Sequence, residues 1–158
     1  MSMERAYLSG GMEYALGEGA GWRGTMQSWL ESSLRHGVFN PNEESDRFFA
    51  ARYPGLDVRA LKGRDVAGYT AIVRQLVDID TREIAERSTY VICLWDEGAA
   101  KGAGTKGELT IARFFGKPVY LVTRIEHQEI PGWVLGCTDH IFGSFDELKS
   151  FLATRYKA

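Results

Sequence analysis

The chain has few residues of the kinds that hold metals or cross-links. Among 158 residues there are two cysteines and three histidines. Cys93 sits inside an apolar run and Cys137 lies far along the chain, so no CxxC pair or disulfide ladder can be read, and a reducing compartment suits both. His36, His127 and His140 are scattered at spacings that no zinc site uses, so no metal and no cofactor is expected. Runs of lysine or arginine are also lacking. Nineteen basic residues against 21 acidic ones leave a net charge of −2, which argues against polymeric nucleic acid as a partner. No apolar stretch is long enough to span a bilayer. The N-terminal residues lead straight into an apolar segment without the layout of a signal peptide, so the expectation is a cytoplasmic protein with no membrane partner.

What is present is a rich apolar content, 44% hydrophobic and 12% aromatic, enough for one core and one domain over 1–158. Ala6-Tyr7-Leu8 reads as a buried strand stopped by Ser9-Gly10-Gly11. After a glycine-rich stretch over 17–24, Met26, Trp29, Leu30 and Leu34 follow helical spacing, and Gly37 stands where a C-cap glycine is expected. Val38-Phe39 is a short strand broken at Asn40-Pro41. Residues 42–68 read as a short helix plus loop, long enough to be a lid or binding insertion. A helix over about 69–87 leads to the continuous apolar strand over 90–95, closed by Asp96. A glycine-rich loop, a helix over about 105–115, a strand over 119–122, a last strand at 140–142 and a capped helix from Ser144 complete the chain. Five strands alternating with helices predict a single-domain α/β three-layer sandwich. Its sheet is mostly parallel, flavodoxin- or Rossmann-like, with ligands beyond the carboxyl ends of the strands, where Ser9, Asn40 and Asp96 fall.

Three groups of residues carry candidate chemistry. In Gly102-Ala103-Gly104-Thr105-Lys106-Gly107-Glu108 the glycines suit close backbone approach to a ligand, and Thr105-x-x-Glu108 also fits a helix-capping box. Glu108 shares a helical face with Ile111, Ala112 and Phe115, so it is expected to point inward, with burial raising its pKa and the helix dipole and loop amides lowering it toward an ionised group. Asp80 falls within roughly 20° of the centre of an apolar face defined by Ile72, Val73, Leu76, Val77, Ile79 and Ile84, at about 100° per residue. A carboxylate there requires a partner or a function. Tyr7 lies near the same edge, and in Gly21-Trp22-Arg23 the indole suits stacking on a base and the guanidinium suits an anionic group.

The pattern Tyr7-Leu8-Ser9-Gly10-Gly11, Asp80, Gly104-Thr105-x-x-Glu108 and Gly116-Lys117-Pro118-Val119 resembles the nucleoside 2-deoxyribosyltransferase family. The resemblance implies that Glu108 attacks C1′ of a 2′-deoxyribosyl group, that Tyr7 orients that carboxylate and that Asp80 holds the base or transfers a proton. It also implies a homodimer or higher homo-oligomer. Family members carry an aspartate shortly before the loop glycine, where this chain has Gly102-Ala103, and Asp96 is the candidate replacement. The Gly-x-Gly-Thr-x-x-Glu string also resembles the loop of the cytokinin-activating phosphoribohydrolases. Both resemblances point to the N-glycosidic bond of a nucleoside or its 5′-monophosphate, cleaved or transferred with a carboxylate nucleophile. Arg23 would anchor a 5′-phosphate. The competing expectations are a nucleoside-monophosphate hydrolase and a nucleotide-binding sensor that turns nothing over.

Overall fold

A computed structural model describes residues 3–157; Met1, Ser2 and Ala158, the ends of the expected domain, lie outside the described residues. The chain runs β1 (Arg5–Gly10), α1 (Ala20–Trp29), β2 (Gly37–Phe39), α2 (Pro41–Arg52), α3 (Val58–Arg64), α4 (Val66–Glu86), β3 (Tyr90–Leu94), α5 (Glu97–Lys101), α6 (Gly104–Phe114), β4 (Val119–Val122), α7 (Gly132–Gly136), β5 (His140–Phe142) and α8 (Phe145–Arg155). The five strands form one sheet in the order β2-β1-β3-β4-β5, and every pairing is parallel. This is a flavodoxin-like order whose direction reverses between β1 and β3, leaving a crevice at their carboxyl ends.

Helices cover both faces, so the central strands alternate between two apolar layers and not between core and solvent. Ala6, Leu8, Tyr90 and Ile92 join Met26 and Leu30 of the α1 segment and Leu148 and Leu152 of α8 on one side. Tyr7, Val91, Cys93 and Leu121 join Ile84 of α4 and Leu109 and Ala112 of α6 on the other. Both cysteines are free and buried. His36 is buried and bonded through Nδ1 to the Tyr90 hydroxyl at 2.7 Å, a packing role.

Three local expectations are corrected. Gly37 does not cap the first helix. A wide π turn over Leu30–Leu34 carries that helix further, Arg35 takes the left-handed conformation at φ 58°, and Gly37 opens β2. The segment 42–68 is helical: Asn40, Asp57 and Asp65 each accept a bond from a first-turn amide, of Asn42, Ala60 and Gly68, and so start α2, α3 and α4. The strand break expected at Asn40-Pro41 is present, since β2 ends at Phe39, and Pro41 occupies the first turn of α2, where its missing N–H costs nothing. The stretch after β3 is also not all loop, because Asp96 caps the short α5 by accepting from the Ala99 amide at 2.9 Å.

Among the described residues no helix is long and apolar enough to cross a membrane, and no cluster of His, Cys, Asp and Glu is placed to hold a metal ion.

Candidate active site

The site is built where β1 ends. Tyr7 and Ser9, two residues apart on a strand, present their side chains on the same face, the one covered by α4 and α6. Helix α6 crosses this face and presents Glu108, whose carboxylate accepts a hydrogen bond from Ser9 Oγ at 3.3 Å. Ser9 is fully buried, whereas Glu108 is only partly covered. Glu108 is therefore not the second half of a capping box: the residue preceding the helix is Ala103, no side chain caps α6, and Thr105 lies buried inside its first turn. The apolar side of α6 is Thr105, Leu109 and Ala112, and Phe115, expected to share the buried face of Glu108, lies beyond the helix end and is exposed.

The Tyr7 ring stacks on Phe39 at 5.2 Å and its hydroxyl is buried. No partner among the described residues meets full hydrogen-bond geometry with that hydroxyl; the Glu108 carboxylate faces it closely enough for each group to govern the other's titration. Burial, then the charges of Glu108 and Asp80, push the Tyr7 phenol well above its ordinary range.

Asp80 approaches from α4. Burial and the neighbouring Glu108 charge raise its pKa to about 8, opposed by Arg23. Burial raises Glu108 to about 7, while Tyr7, Arg23 and Ser9 favour its ionised form. Burial raises Glu108 as expected, but the groups that favour its charge are Tyr7, Arg23 and Ser9 and not the helix dipole and loop amides. Glu108 is the fifth residue of α6, past the free amides of the first turn, and faces β1 instead. The helical wheel for α4 also needs correcting, because Val77 and Ile79 are exposed and Glu83 is buried in their place. At the opposite, amino-terminal end of the strands Glu83 pairs with Arg5 at 2.5 Å and with Arg87 at 3.7 Å, and it accepts a hydrogen bond from Ser88 Oγ at 3.3 Å.

A cavity of about 70 Å³ opens beside Asp80, lined by Met12, Pro41, Glu44, Ser45, Leu76 and Ile79. Glu44 was missed in the sequence, although its place in the first turn after a strand end was the available signal. Its charge adds to the rise at Asp80.

Arg23 is the largest departure from expectation. It is fully buried, and its guanidinium donates to the carbonyls of Leu8 (3.1 Å), Gly10 (2.8 Å), Gly11 (3.4 Å), Glu18 (3.2 Å) and Gly19 (3.3 Å) and to Asn42 Oδ1 (3.0 Å). Its donors organise the chain leaving β1, so it is not free to grip a phosphate, though its charge still acts on both carboxylates. Trp22 packs in the opposite apolar layer and stacks on Phe145 at 5.6 Å, away from Glu108. Asn40 is spent capping α2 and donating to Gln27 Oε1 at 2.9 Å, and Asp96 is spent capping α5.

The glycines divide likewise. At Gly10 a Cβ would lie 3.0 Å from Trp22, and at Gly11 it would lie 2.8 Å from the backbone of Gly98 and Ala99, so both serve the close passage of β1 past its neighbours. At Gly104 and Gly107 a Cβ would meet nothing within 4 Å, so packing inside the chain does not call for glycine there. Of the expected site residues, then, Tyr7, Ser9, Asp80 and Glu108 come together, whereas Gly10, Gly11, Trp22, Arg23, Asn40 and Asp96 serve the scaffold.

No protein-family model matches this sequence, and no curated protein sequence does. Among solved structures the chain is similar to the 2-deoxyribosyltransferase of the psychrotolerant bacterium Bacillus psychrosaccharolyticus, described as a biocatalyst for nucleoside synthesis. The two superpose with a TM-score of 0.62 over 96% of this chain and 95% of that one, at 14% sequence identity. The likeness establishes a shared fold.

Proposed function

We propose that the protein cleaves or transfers the N-glycosidic bond of an unphosphorylated (2′-deoxy)nucleoside. The observation that carries this reading is the pairing of Glu108 and Asp80, delivered by two helices to the carboxyl end of β1, with Tyr7 and Ser9 serving Glu108. Two carboxyl groups whose environments separate their pKa values form an acid–base pair. Glu108, whose ionised form Tyr7, Arg23 and Ser9 favour, supplies the carboxylate that attacks C1′. The C1′–N bond breaks, its electron pair passes to the base nitrogen, and the neutral Asp80 carboxyl donates the proton that lets the base leave. Attack by a second base or by water at C1′ then frees Glu108 and sets the outcome as transfer or hydrolysis.

The site chemistry favours a nucleoside over its monophosphate. Asp80 and Glu108 bring two carboxyl groups to the site, and the one fully buried guanidinium among the described residues, that of Arg23, is committed to carbonyls and to Asn42 Oδ1. The cavity, about 70 Å³, is smaller than a nucleoside requires. We therefore assign α3 as a lid. It is held to the loop after β1 by exposed ion pairs, Lys62 to Glu13 (2.6 Å) and Arg59 to Glu18 (3.3 Å), which are weak enough to open.

The test is chromatography of free bases after incubation with deoxynucleosides and their 5′-monophosphates, with and without an acceptor base. Base release from the nucleosides is expected, and Glu108→Gln should lower it on the order of 10³-fold or more. Absence of release from every nucleoside, or full activity in Glu108→Gln, overturns the reading.

A further inference from the structure

Strand β2 stops before β1 does, and one residue explains where. The Gly37 amide donates to the Glu4 carbonyl at 2.9 Å, so the carbonyls of the even-numbered residues of β1 face β2, while the Arg5 carbonyl faces β3 and accepts from the Thr89 amide. The ladder to β2 ends where Tyr7 pairs with Phe39, whereas the ladder to β3 continues to Gly10. Continued at the same spacing, the amide for the Leu8 carbonyl would be that of residue 41. That residue is Pro41, which has no N–H. Leu8 and Gly10 are buried, so their carbonyls need donors that β2 cannot supply.

Arg23 fills that place. Its Nε donates to the Leu8 carbonyl at 3.1 Å and its Nη2 to the Gly10 carbonyl at 2.8 Å, two donors on one edge of the guanidinium standing where two strand amides would. Its Nη1 gathers the Gly11, Glu18 and Gly19 carbonyls and Asn42 Oδ1. Ser9 lies between the two clamped carbonyls, and its hydroxyl is the one that donates to Glu108.

A strand would have brought neutral amides, whereas Arg23 brings a full charge. It makes no ion pair among the described residues, so no bonded carboxylate balances that charge. The titratable groups that face it are Glu108, Tyr7, Cys93 and Asp80, with Glu108 acting on it most strongly. Glu108 itself faces Tyr7 and Ser9 of β1, Cys93 of β3, Asp80 of α4 and Arg23; Asp80 faces Glu44 and Glu83 as well. Burial drives both carboxyls toward the neutral form, and Arg23 opposes it at each.

We propose that Arg23 is a positioning residue of the site: it replaces β2 beyond Phe39, holds Ser9 in place for Glu108, and supplies the buried positive charge that keeps Glu108 ionised beside a neutral Asp80. Its catalytic use rests on the proposed reaction, whereas its charge and geometry do not.

The test is an NMR titration of the Glu108 carboxyl carbon in protein carrying isotope-labelled glutamate, with Glu108→Gln identifying the signal. No substrate is needed. Arg23→Gln removes the charge, and Arg23→Lys keeps it on a single nitrogen that cannot span two carbonyls. The Glu108 midpoint should rise by about one pH unit or more in Arg23→Gln and stay near its unaltered value in Arg23→Lys. Both variants disturb a buried cluster, so Asn42→Asp supplies a third arm. It lays a carboxylate against Nη1 from the first turn of α2, where an acidic residue is favoured, and should raise the midpoint, whereas Asn42→Ala should not. In base release, Arg23→Lys should lower the rate about tenfold or more while the acid limb of its pH profile stays in place. A midpoint unmoved in folded Arg23→Gln or Asn42→Asp, or moved as far by Arg23→Lys or Asn42→Ala, overturns the charge assignment, and full base release by Arg23→Lys overturns the positioning. The expected midpoints without base release from the unaltered protein would strike the proposed reaction and leave the charge assignment standing.

Discussion

Asp80→Asn is expected to stabilise the protein in a pH-dependent way. The native-state pKa of Asp80 is raised from 3.8 to about 8. The native state therefore keeps a proton that the unfolded chain loses, and stability falls as pH rises across that window. Below about pH 4 both states are protonated and the carboxyl imposes no penalty. Fully developed above pH 8, a shift of this size corresponds to about 6 kcal/mol. Because Asp80 keeps part of its surface in solvent, water at the cavity mouth reduces the recoverable part to about 2 kcal/mol. Asparagine has the same shape without the charge, and Asp80 has no side-chain hydrogen bond to lose among those formed by the described residues. Thermal unfolding at about pH 5 and about pH 8.5 reads the effect, with a difference in melting temperature of about 4 to 8 °C at the higher pH. The gain should shrink on going to the lower pH, and Asp46→Asn, on the exposed side of α2, should show no such trend. A gain independent of pH, or a loss of stability at pH 8.5, would refute the claim that a strained carboxylate sits at this position. Under the proposed chemistry the same substitution removes the proton donor, so it should raise stability while lowering turnover.

Two other outcomes follow from the same geometry. The rate of base release should fall as pH drops below about 7, where Glu108 takes up a proton, and fall again above about 8, where Asp80 loses one; Asp80→Asn should abolish the alkaline limb. A profile flat from pH 5 to 9 in the unaltered enzyme would separate these groups from the reaction. Gly11→Ala drives a Cβ to within 2.8 Å of the Gly98 and Ala99 backbone and should cost about 1 to 3 kcal/mol by thermal unfolding, whereas Gly104→Ala, in open space, should be nearly neutral to folding.

The sequence by itself determined the sheet and the carboxylates. Strands buried on both faces are near-continuous apolar runs, and Tyr90-Val91-Ile92-Cys93-Leu94 is one at any position in the chain, so five strands alternating with helices were legible from periodicity alone. Asp80 and Glu108 were legible because a carboxylate among apolar neighbours breaks a local pattern. What lies in the contacts between distant segments was not legible. Arg23 looked like a ligand-facing cation, and only the folding of the chain around it, bringing the carbonyls of Leu8, Gly10, Gly11, Glu18 and Gly19 together, converts it into a buried scaffold. Asn40 and Asp96 were expected at the ligand because strand ends face it, but helix starts occupy the same places and claim the same side chains as caps. Trp22 was expected beside a base, and the face of the sheet on which α1 packs sent it to Phe145 instead. A sequence records which residues are apolar, charged or able to cap. Which of them compete for the same hydrogen-bond partner is decided by tertiary structure, because burial leaves each donor and acceptor only the partners within about 3 Å.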